Sequence, residues 1–187
     1  MSTPWHYAAG LALALLAACS NTGHGTAPTT VDAAGRHVWS ASMETRRVAL
    51  EKATRDTGIE VLRTRGNELQ VNVPSDFSFD SGSAELKPDM RRVLDEFARD
   101  LELPALQHLT IHIVGHADST GPDAVNDPLS VARADSVRKH FVARGIAPLR
   151  IEVEGRGERQ PLVDNTKPYG RALNRRVEIL LREPGRS

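Results

Sequence analysis

Residues 109–145 read LTIHIVGHADSTGPDAVNDPLSVARADSVRKHFVARG. The first six residues, Leu109 to Val114, are apolar or β-branched with interspersed polar positions and predict a strand. GHADSTG follows, a short run that sets one carboxylate, Asp118, among small turn residues at the strand end, where binding groups tend to sit. Asn126-Asp127-Pro128 then offers an N-cap followed by a proline in the first turn, so a helix is expected from there to about Arg144, stopped by Gly145. Within that helix Leu129, Arg133, Val137 and Phe141 are spaced four apart and form one row, which Arg133 interrupts with a charge.

A guanidinium on the inward edge of a helix is unfavourable unless acceptors meet it there. Asp118, at the end of the preceding strand, is the nearest candidate partner. Two readings stay open. Asp118 and Arg133 form a salt bridge that ties the loop down, or they frame a pocket with one fixed negative and one fixed positive group. Such a pocket is complementary to a ligand with an ammonium and a carboxylate on the same carbon. The fork of an arginine suits the carboxylate, and the aspartate accepts from the ammonium.

Working outward, Ile59 to Arg63 and Glu68 to Val73 both alternate, and Arg65-Gly66-Asn67 between them supplies hairpin turn residues. Met43 to Asp56 reads as a short helix closed by Gly58. Lys87-Pro88-Asp89 looks like a second helix start, with Met90, Val93, Leu94, Phe97 and Leu101 following at helical spacing. Ile151 to Glu154 and Arg176 to Leu181 are the last strands. The order from Glu68 is β, α, β, α, β, β, which predicts an α+β domain over 68–182 with a mixed four-stranded sheet and helices on one face. A short helix and the first hairpin strand, 43–67, precede it, and 183–187 form a tail.

The bulk properties narrow the function. The 187 residues, 40% of them hydrophobic, allow one modest domain plus extensions. Lys plus Arg and Asp plus Glu both number 24 and aromatics are 4%, which argues against a nucleic-acid partner. His108, His112 and His116 recur every fourth residue, but on a strand successive ones lie roughly 13 Å apart, so no metal site is expected. No nucleophile with its base, and no carboxylate pair at a recognisable spacing, points to an enzyme. Gly155-Arg156-Gly157 lacks the third glycine and the helix of a dinucleotide loop. No cofactor is implied.

The apolar run from Ala8 to Ala18 is too short to cross a bilayer core, which needs about 20 residues, but suits the central segment of a secretory signal. It ends in Leu16-Ala17-Ala18-Cys19, which resembles the lipobox of bacterial lipoproteins. The resemblance implies a signal peptide over 1–18, a lipid on Cys19 and, with Ser20 next, an outer-membrane destination. Met1 to Gly10 departs from the pattern in having no Lys or Arg. Residues 19–42 are small and polar and read as a tether, with a typical end-to-end distance of about 25 Å.

GHADSTG (115–121), NDPLSVARA (126–134) and GRALNRRVE (170–178), in this order and spacing, resemble the OmpA-like C-terminal domain of peptidoglycan-associated outer-membrane proteins, over Glu68 to Leu181. The resemblance implies that Asp118 and Arg133 bind the diaminopimelate of a peptidoglycan stem peptide. It also implies that Phe79, Asp80 and Ser81 border the pocket, and it assigns lesser roles to Thr120, Asn126, Asn174 and Arg176. Ala117 stands where the family more often has Thr. His112 and His116 add titratable groups near the pocket, so binding is expected to respond to pH. The implied partners are peptidoglycan and, through Cys19, the outer-membrane bilayer. The domain would face the periplasm and link the two, or position a secretion or motility assembly through contacts with other proteins.

Overall fold

The computed structural model describes Trp39 and residues 41–182. The expected signal peptide, Cys19, nearly all of the tether and the tail lie outside the described residues. The elements are α1 (Ala41–Ala53), β1 (Glu60–Arg63), β2 (Leu69–Pro74), α2 (Ser75–Ser78), α3 (Pro88–Leu101), β3 (Thr110–Gly115), α4 (Asp123–Ala143), β4 (Ile151–Gly155), α5 (Pro168–Asn174) and β5 (Arg176–Arg182). A single 3-10 turn, Pro148–Arg150, leads into β4.

All strands of the described residues join one sheet in the order β1-β2-β5-β3-β4. Only β3 and β4 are parallel, as the helical crossover between them requires. The sheet therefore has five strands rather than the four expected. Val61 of β1 is buried and pairs with Val71, so the first hairpin strand extends the sheet instead of standing before it.

One face is the core. Val71, Val73, Ile111, Ile113, Val177, Ile179 and Leu181 alternate along their strands and pack against Met90, Leu94, Phe97 and Leu101 of α3 and Val137 and Phe141 of α4. Phe97 and Phe141 meet edge to face at 5.8 Å, locking the two helices together. Met43 and Leu50 bring α1 onto the same core.

α4 begins one turn earlier than the sequence suggested. Pro122 precedes its first residue, and the backbone N–H groups of Val125 and Asn126 already bond to the Pro122 carbonyl. Pro128 thus lies inside the helix. Two short helices, α2 and α5, were not anticipated, because four and seven residues are too few to display a helical period.

The approach of α4 to the sheet is set by two glycines. Gly115 and Gly155 are register partners on β3 and β4, and a Cβ on Gly115 would run into the Ser130 carbonyl, one on Gly155 into the Ser130 hydroxyl and Val131. Ser130 Oγ also accepts from the Gly157 N–H at 3.1 Å. This close seat fixes how far Arg133, one turn on, stands from the end of β3.

Candidate functional site

The ladder continues past β3 for two residues: the His116 N–H bonds to the Arg176 carbonyl at 2.9 Å and the Ala117 N–H to the Gly157 carbonyl at 2.8 Å. Asp118 is delivered at the rim with only 5% of its surface exposed. Its Oδ1 accepts from the Thr120 N–H at 2.7 Å and from the Thr120 hydroxyl, which closes a local turn. The Asn126 side-chain amide donates to the carbonyls of Asp118 at 3.1 Å, Thr120 at 3.3 Å and Gly121 at 3.4 Å. Asn126 is thus a loop anchor inside α4 rather than its N-cap.

Arg133 faces the same space from α4. It is 6% exposed; Nε donates to the Ser83 carbonyl at 3.0 Å and the guanidinium lies 5.2 Å over the Phe79 ring. No carboxylate of the described residues contacts it, and its two terminal nitrogens have no acceptor among them. The salt bridge to Asp118 is therefore not formed. Asp118 Oδ2 instead accepts from Arg175 Nη1 at 2.7 Å, and Arg175 turns its other edge to Asp76, with Nε at 3.2 Å and Nη2 at 2.7 Å. Loop closure needs no help from Arg133, because Thr120, Asn126 and Arg175 already hold Asp118.

Together these groups line a cavity of about 530 Å³, a size suited to a small ligand or a side chain. Three carboxylates, Asp76, Asp80 and Asp118, and three cations, Lys87, Arg133 and Arg175, contribute to its wall. Lys87 pairs with Asp80 at 3.4 Å. Two carboxylates share Arg175, so the Asp118 end holds a surplus negative charge and the Arg133 end a surplus positive one.

The ionisation equilibria follow this layout. Burial lowers the pKa of Arg133, with the Asp76 and Asp118 charges opposing it. For Asp118 burial acts upward, but the Thr120 hydroxyl and Arg175 outweigh it and hold the carboxyl below its ordinary range. Arg175 holds Asp76 down likewise and is itself raised, first by its bond to Asp76.

Of the residues expected at the site, Phe79, Asp80, Ser81, Asp118, Thr120, Asn126 and Arg133 line the cavity. Asn174 does not. It is fully buried and pins the backbone of Leu162 and Val163, its Oδ1 accepting at 2.8 and 3.2 Å and its Nδ2 donating to the Val163 carbonyl at 2.7 Å. Arg176 also lies outside, paired with Glu178 at 2.6 Å on the opposite side of the sheet. His112 and His116 point to that side too, 3.3 Å from Glu154 and 3.5 Å from Glu178, and neither lines the cavity. Burial lowers the pKa of His112.

Arg175, which the resemblance includes only in the corner 174–176 as a family position with a structural role, and Asp76 were not singled out as site residues. A usable signal was the period of two along β5: Arg175 has the parity of Val177, Ile179 and Leu181, which face the helices, whereas Arg176 has that of Glu178. Asp76 lies in α2, whose position has no periodic mark.

A family model described as OmpA family matches residues 78–175. The probable lipoprotein YiaD of Escherichia coli is 36% identical over 139 residues, 74% of this chain and 62% of YiaD. The peptidoglycan-binding protein ArfA of Mycobacterium tuberculosis is 38% identical over 104 residues, 56% of this chain and 31% of ArfA. This chain thus spans less than two thirds of either relative. Among solved structures, the cell wall anchor of the type VI secretion system of Pseudomonas aeruginosa superposes with a TM-score of 0.61 at 28% identity, covering 74% of this chain and 96% of that one.

Proposed function

Because the chain belongs to the OmpA family, we propose that it binds peptidoglycan without catalysis, by gripping the free zwitterionic end of a diaminopimelate side chain, and that a lipid on Cys19 holds it to the outer membrane. The observation that carries the reading is the charge layout of the cavity. Among the described residues, a nearly buried guanidinium without a carboxylate faces a carboxylate that shares its only cation.

The terminal nitrogens of Arg133 take the ligand carboxylate, with Nε held by Ser83 and the ring of Phe79 beneath fixing the plane of the fork. The ligand ammonium donates to Asp118. Such charge-assisted bonds contribute roughly 1.5 to 3 kcal/mol each, from which the ordering cost of association is subtracted, so one stem peptide is held weakly. Many copies acting on one polymer hold it firmly. The likeness to a secretion-system wall anchor favours a second reading, in which the same grip positions an assembly and protein contacts are the main role.

The test is calorimetric titration of the full-length chain with a diaminopimelate muropeptide and with its lysine counterpart, which lacks the distal carboxylate. The wild type is expected to prefer the diaminopimelate form, and Asp118→Ala and Arg133→Ala to abolish binding while remaining folded. Equal affinity for both ligands, or retained binding in both variants, would sink the reading.

A further inference from the structure

Asp76, Arg175 and Asp118 form a line in which one guanidinium serves two carboxylates, and side-chain exposure falls along it from 64% through 30% to 6%. Oδ1 of Asp118 already receives two donors from Thr120. The oxygen left for an incoming ammonium is Oδ2, the one that Arg175 Nη1 occupies. Oδ2 has a second lone pair to offer, but an ammonium taking it would stand beside the guanidinium, and the repulsion between the two cations sets ligand against arginine at that oxygen.

The attachment of Arg175 is asymmetric. It meets Asp118 through one nitrogen but Asp76 through two, and the Ser75 N–H bonds to the Arg175 carbonyl at 2.9 Å, fastening the α2 backbone to the start of β5. The guanidinium can release Asp118 while keeping its paired bonds to Asp76.

We propose that Arg175 is a built-in stand-in for the ligand's ammonium, and that Asp76 is a positioning residue that retains the displaced guanidinium when the ammonium reaches Asp118. The inference rests on the zwitterion reading of the cavity. With Asp76 in place, the arginine that gives up Asp118 still has a carboxylate. Without it, Asp118 is the only carboxylate Arg175 has, and the exchange becomes harder.

The experiment is titration of full-length wild type, Asp76→Asn, Arg175→Gln and the double variant with a muropeptide whose distal diaminopimelate amine is free, and with the same compound acetylated on that amine. Asp76→Asn is expected to weaken binding of the free-amine ligand roughly twofold to fivefold, the weight of one partly exposed ion pair. Adding Arg175→Gln removes the competitor and restores affinity to near the wild-type value. With the acetylated ligand the wild-type and Asp76→Asn affinities converge. Wild-type affinity in Asp76→Asn overturns the proposal, and so does a double variant that binds no better than Asp76→Asn. In either case, loss of binding in Asp118→Ala and Arg133→Ala would leave the zwitterion reading standing. If those two variants bind normally, the zwitterion reading fails and this proposal with it.

Discussion

Glu178 and Arg176 carry opposite charges on the face of the sheet away from the helices, with side chains 12% and 5% exposed. Burial acts to raise the Glu178 pKa, but His116 and Arg176 outweigh it and hold it at about 2. A carboxylate depressed in the folded state stabilises the fold above its unfolded pKa, and that contribution disappears as pH falls through the folded value. Urea denaturation is therefore expected to show stability falling between about pH 4.5 and 2, and Glu178→Gln to lack that part of the pH dependence. At neutral pH the same substitution leaves Arg176 buried without its carboxylate and is expected to destabilise by about 3 kcal/mol or more. At this scale the sequence was legible where a residue broke a local pattern: Arg133 stood out in its apolar row and does line the cavity. The actual partner of Asp118 was not legible, because Arg175 comes from 57 positions along the chain and sheet register alone brings it there.

α4 shows what a close helix seat demands. Ser130 rests on Gly115 and Gly155, and no other residue leaves room at those points for a helix backbone. Gly115→Ala forces α4 off β3, which shifts Arg133 relative to Asp118. The expected cost is roughly 2 to 4 kcal/mol in chemical denaturation, together with weakened muropeptide binding, whereas a neutral result would show that α4 shifts freely. The long elements α3, α4 and β3 were readable because each shows its period over several turns or pleats. The start of α4 was misplaced because Asn126 and Pro128 imitate a cap and first turn, while in the fold the Asn126 amide is committed to the loop carbonyls. The short α2 and α5 are placed by tertiary contacts, and their own residues do not announce them.

For the molecule as a whole, the sequence yielded the α+β class and the run of strands and helices, but not the strand order. Local pattern says which residues alternate and nothing about which strand lies beside which. The order puts β5, the last strand described, at the centre between β2 and β3, while β1 and β4 form the edges. Native-state hydrogen exchange is accordingly expected to be slowest in β5 and β3 and fastest in α1, which reaches the buried core through Met43 and Leu50 and adds an Arg46 to Asp100 ion pair at 3.0 Å. Protection in α1 equal to that of β5 would mean that the whole chain opens as one unit. The central place of β5 also governs the order in which the chain can assemble as it emerges from a ribosome or a secretion channel, N-terminus first. Two separated pairs, β1 with β2 and β3 with β4, come out before the strand that lies between them, and Arg175 is still to follow. A polypeptide halted before residue 175 lacks both the strand that joins the two pairs and the Arg175 wall of the cavity.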